Sequence, residues 1–70
     1  MRDAMAASMV KPRNGYWVRF QNKSTRIVLE GFVQQVDEAV NRILVGKAPD
    51  SPEHEWHSLA DITILKTQEQ

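Results

Sequence analysis

From Tyr16 onward, apolar and polar positions alternate with a period of two. Tyr16, Val18 and Phe20 are set against Trp17, Arg19 and Gln21, the pattern of a half-buried strand. Asn22-Lys23-Ser24 is a short polar turn, so a hairpin is expected, followed by a long second strand from Thr25 to Val36. Ile27, Leu29 and Val33 share one face of that strand, and Phe32 and Val36 lie on the other. Gly31 interrupts it, and a glycine inside a strand marks a sharp bend or a close backbone approach. With both faces apolar around Gly31, the sheet is expected to curl on itself. Asp37-Glu38-Ala39 makes the next turn, and Val40 to Val45 the third strand. Gly46 to about His54 is a loop containing Pro49, Asp50, Ser51 and Pro52. Glu55 to Leu65 holds two more short strands with a bend near Leu59 and Ala60, and 66–70 is a polar tail expected to fray.

Before Tyr16 the pattern is different. Arg2 to about Val10 is rich in the helix formers Ala and Met, and Met5, Met9 and Val10 form a narrow apolar stripe. Lys11-Pro12-Arg13-Asn14-Gly15 ends it, because Pro and Asn-Gly both punctuate helices. The expected architecture is one mostly β domain over 1–70. It consists of a short N-terminal helix and turn in 1–15, then a strongly bent five-stranded antiparallel sheet or small barrel over 16–65.

Length and composition narrow the function. Seventy residues make one domain. The absence of cysteine excludes a disulfide framework, a thiolate zinc site and a cysteine nucleophile. No apolar run approaches the roughly 18–20 residues that span a bilayer. The start also lacks the apolar core of a secretion signal. A cytoplasmic protein with no membrane partner is therefore expected. A chain this small buries too little surface to be more than marginally stable alone, which raises the weight of self-association. The net charge is zero, yet residues 1–30 sum to +4 and residues 31–70 to −4. If folding keeps the halves apart, a basic surface faces one side.

The run Gly31-Phe32-Val33-Gln34-Gln35-Val36-Asp37-Glu38-Ala39-Val40-Asn41-Arg42-Ile43-Leu44 resembles the first motif of the Sm and Sm-like proteins. Gly31, Val33, Val36, Asp37, Val40, Asn41 and Leu44 fall in its register. The hairpin before it, and the order of a helix followed by five strands, are also similar. The second motif departs. Where the family carries Arg-Gly or Lys-His, Glu55-Trp56-His57-Ser58 stands here, with His57 and Ser58 nearest in position. Ala39 occupies the place where many members put an aromatic or a histidine.

The resemblance implies a homo-oligomeric ring, closed by pairing the fourth strand of one copy with the fifth of the next. It also implies single-stranded, uridine-rich RNA bound near the pore. Asp37, Ala39, Asn41, His57 and Ser58 would then lie at the RNA, with Arg13 and Arg19 neutralising phosphate. The apolar strand Ile62-Thr63-Ile64-Leu65 would be an aggregation-prone edge if unpaired, and Trp56, Leu59, Ile62 and Ile64 are the expected interface residues. Asp37 and Asn41 are equally turn formers. Trp17 and Trp56 suit base stacking or a packed interface.

Other chemistry finds little footing. His54 and His57 are three apart, so on a strand they point to opposite faces and cannot share a metal. Ser58 adjoins His57 and faces away from it, which excludes a nucleophilic relay. No enzyme activity, cofactor or metal is expected. The rival to the RNA-binding ring is a small-barrel module for protein–protein contact, because fold alone does not settle function.

Overall fold

The computed structural model describes residues 11–69, and the helix expected over 2–10 lies outside them. Among the described residues the chain is mostly β, with no helix. Five strands, β1 (Trp17–Asn22), β2 (Val28–Asp37), β3 (Arg42–Gly46), β4 (His54–Ser58) and β5 (Ile62–Gln68), form one antiparallel sheet in the order β4-β3-β2-β1-β5. The barrel is not closed, since β4 and β5 stand at opposite edges of this order and do not pair with each other. Among the described residues no helix is long and apolar enough to cross a membrane.

Three boundaries shift from expectation by two residues or more. β2 begins at Val28 rather than Thr25 because the turn before it is longer than the sequence suggests. The Asn22 carboxamide oxygen accepts the Ser24 and Thr25 amides at 2.8 and 2.9 Å. Arg26 then takes a left-handed conformation, φ 67°. β3 begins at Arg42 rather than Val40, because Asn41 is also left-handed, φ 57°, which no strand residue adopts. β5 continues through Lys66, Thr67 and Gln68, which were expected to fray, because β1 offers them Arg19, Val18 and Trp17 as ladder partners.

The core lies on one face. Val18, Phe20, Val33, Ile43, Val45 and Ile62 pack together, the first four at 0–1% exposure. Their alternation with Trp17, Arg19 and Glu30 follows the period of two. The sheet curls about them. β1 and β4 have two strands between them, a separation of about 14 Å in a flat sheet, yet the rings of Phe20 and His57 meet edge to face at 4.7 Å. The ladder is irregular between Val33 and Gln35, and between Arg19 and Phe20, and such bulges bend a sheet. At Gly31 the two strands come close: a Cβ there would lie 2.6 Å from the Gly46 carbonyl oxygen.

Candidate nucleic-acid interface

Two turns and the segment before β1 converge at one end of the sheet. In the β2–β3 turn the Asp37 carboxylate accepts the Ala39 amide at 3.2 Å, a local bond that stabilises the reversal. The Asn41 carbonyl then accepts the Leu59 amide at 2.9 Å, which fastens this turn to the one between β4 and β5. That second turn is closed by Ser58, whose hydroxyl and carbonyl accept the Ala60 and Asp61 amides. The segment before β1 is tied to β2. Gly15 donates to the Val33 carbonyl at 2.7 Å, and Val33 to the Tyr16 carbonyl at 2.8 Å. These bonds bring Arg13 and Lys11 beside Asn41.

The result is an open cleft of about 580 Å³, within the roughly 300–1,000 Å³ that ligand sites occupy. Lys11 and Arg13 supply positive charge; Asn14, Gln35 and Asn41 supply amides; Glu38 adds a carboxylate. Buried Pro12 and half-buried Val36 and Leu59 give it an apolar floor. The ion pairs among the described residues leave Lys11, Arg13 and Glu38 uncommitted. Chemically the cleft can neutralise a phosphate with the two cations, meet a base edge with the amides, and hold the flat face of a base on Val36 and Leu59.

Of the seven residues expected at RNA, Arg13 and Asn41 line this cleft. Asp37 holds its own turn and stands 4.0 Å from Arg42. Ala39 is exposed at the turn's tip. His57 faces inward, against Phe20 and 3.5 Å from the Glu55 carboxylate. Ser58 serves the β4–β5 turn. Arg19 lies on the outer face, 5.3 Å over the Trp17 ring and 3.2 Å from Glu30. Lys11, Asn14, Gln35 and Glu38 were not anticipated. The basic pair flanking Pro12 was a usable signal, while Gln35 and Glu38 reach the cleft only through the pairing of β2 with its neighbours.

The edges carry a second feature. Trp56 on β4 and Leu65 on β5 are 39% and 49% exposed, with Arg42 stacked 4.6 Å over the Trp56 ring. Beside β4 a groove opens onto Phe20, Leu29, Val45 and His57. Of the other expected interface residues, Leu59 and Ile64 pack against the core and Ile62 is buried within it.

The loop between β3 and β4, unexplained by the sequence, is held by Gln34. Its amide nitrogen donates to the Ala48 and Ser51 carbonyls at 2.8 and 3.0 Å, and its oxygen lies 2.8 Å from His54 Nδ1. With both amide hydrogens donated, the oxygen must accept, so His54 carries its proton on Nδ1. A Cβ at position 46 would collide with the Gln34 amide, so glycine there makes room for the fastening. Gln34→Ala is expected to free this loop alone. Hydrogen exchange at the Lys47 and Ser51 amides should accelerate while Val33 stays protected, and unchanged exchange at Lys47 would contradict the assignment.

Compared with protein-family models, curated proteins and solved structures, the chain finds no match. Its functional reading therefore rests on the chemistry of the cleft and the edges.

Proposed function

We propose that this chain is a divergent Sm-like protein that joins head to tail into a ring and binds single-stranded RNA in the cleft beside Asn41. The observation that carries the reading is the junction itself. The β2–β3 and β4–β5 turns are fastened at Asn41 and Leu59, and two cations and three amides gather around an apolar floor. The strand order supports assembly, because among the described residues it leaves two unpaired edges with an exposed apolar side chain on each. Ala39 removes the stacking an aromatic would supply, worth about 1–3 kcal/mol per base, so binding leans on phosphate and base-edge contacts.

The test is RNA affinity against salt, read by fluorescence anisotropy. Two phosphate-neutralising cations on a single strand predict a slope of about −1.4 in log K against log salt, and Arg13→Ala reduces it by about 0.7. Asn41→Gly separates the amide's two roles. Glycine adopts the left-handed turn without strain, so the melting temperature should hold while affinity falls roughly five- to tenfold, the worth of about one hydrogen bond. Unchanged affinity in Asn41→Gly would confine Asn41 to its turn.

A second reading, a protein-contact module, is favoured by the groove over Phe20, Leu29, Val45 and His57 beside the edge strand β4. Wild-type protein that binds no RNA at low salt, but stays folded, would select it.

A further inference from the structure

We infer that the base read in this cleft is guanine and that Glu38 selects it, an inference that rests on the RNA-binding reading above. Glu38 is otherwise out of place. A carboxylate beside Lys11 and Arg13 repels the phosphate those cations attract, and it accepts no hydrogen bond and forms no ion pair among the described residues. The turn uses the Asp37 side chain and the left-handed Asn41, and asks nothing of the side chain at 38.

An ionised carboxylate offers two acceptor oxygens and no donor. On the Watson–Crick edges exposed by a single strand, guanine alone presents two adjacent donors, N1–H and the N2 amine. A carboxylate takes both at once. Guanine's O6 and N7 are acceptors, which suit the amide hydrogens of Gln35 and Asn41 and the nearby cations. Uracil presents one N3–H between two carbonyls, so a carboxylate that accepts the N–H faces O2 and O4 and is repelled. Cytosine and adenine each offer one amine beside an acceptor nitrogen. The half-buried Leu59 can cover the face of whichever base enters, so selection falls to the edge. The cleft therefore prefers guanosine where the family resemblance implies uridine.

The experiment measures anisotropy of the full chain with labelled hexamers: six uridines, the same strand with one central guanosine, and the same strand with inosine at that place. The guanosine strand should bind at least about tenfold tighter than oligouridine, toward the lower end of what a bidentate base contact supplies. Inosine, which lacks the N2 amine, should lose most of that gain. Glu38→Gln should weaken the guanosine strand about tenfold and strengthen oligouridine, because a carboxamide can donate to O4. Equal binding of guanosine and uridine strands, or a preference that survives Glu38→Gln, overturns the guanine assignment and leaves RNA binding standing. Absence of binding to all three strands overturns the RNA reading itself, and this assignment with it. Should Glu38→Gln fail to fold by circular dichroism, the inosine comparison on the wild-type chain decides alone.

Discussion

Gly31→Ala is expected to lower the unfolding free energy by about 3 kcal/mol, at the upper end of what overpacking costs. The added Cβ would sit 2.6 Å from the Gly46 carbonyl oxygen and 2.7 Å from the Val45 side chain. The nearer of these is main chain, which moves only if β3 is displaced from β2. Those strands carry Val33, Ile43 and Val45 of the core, so the displacement propagates into packing. For 70 residues the total stability expected at roughly 0.05–0.15 kcal/mol per residue is about 4–10 kcal/mol; the loss is a large share of it. Gly46→Ala makes a sharp contrast. Its Cβ meets the tip of the Gln34 side chain, which can swing away, so the loop loosens while the core stands. Urea titration should show a large fall in midpoint with constant slope for Gly31→Ala, and a much smaller one for Gly46→Ala. A Gly31→Ala loss below about 1 kcal/mol would mean the strands yield easily.

The contrast also shows what the chain's alternation could and could not reveal. Periodicity identifies Val18, Phe20 and Val33 as inward positions, because burying one face is a local pattern repeated every second residue. It placed Leu29 on the same face as Val33, correctly in direction. It did not reveal that Leu29 stays 43% exposed on the lip of a groove, since that depends on how far the sheet curls. Turn length escapes the alternation where one side chain reorganises several amides, as Asn22 does. The cleft was half legible. Arg13 and Asn41 stood out by residue type, but Gln35 and Glu38 become neighbours of Arg13 only once the segment before β1 is hydrogen-bonded along β2. Gln34 gave no signal at all, because its partners are main-chain carbonyls 14 and 17 residues away.

Leu65→Asp is expected to convert a particle of several subunits into one of 8.0 kDa without unfolding it. Leu65 is half exposed on an edge strand whose outer side has no strand partner among the described residues. A charge there therefore costs the lone chain little, within about 0.5 kcal/mol for an exposed surface site. In the proposed head-to-tail contact the same residue would meet the β4 edge of the next copy, where a buried unpaired carboxylate is far more costly. Closure is what makes the contact repeat: a heterologous interface that returns on itself leaves no free edge in the assembly. Light scattering across a dilution series reads the mass directly, and circular dichroism confirms that the strands persist. The consequence for function follows from multiplicity. A ring presents the cleft once per subunit to the same strand, so each further contact is intramolecular, and linked contacts raise affinity by about 10²–10⁴. Leu65→Asp should therefore weaken binding of long RNA by a similar factor while leaving binding of a strand that spans one cleft nearly unchanged. A wild-type chain that remains at 8.0 kDa at every concentration would remove the ring, and long and short strands would then bind alike.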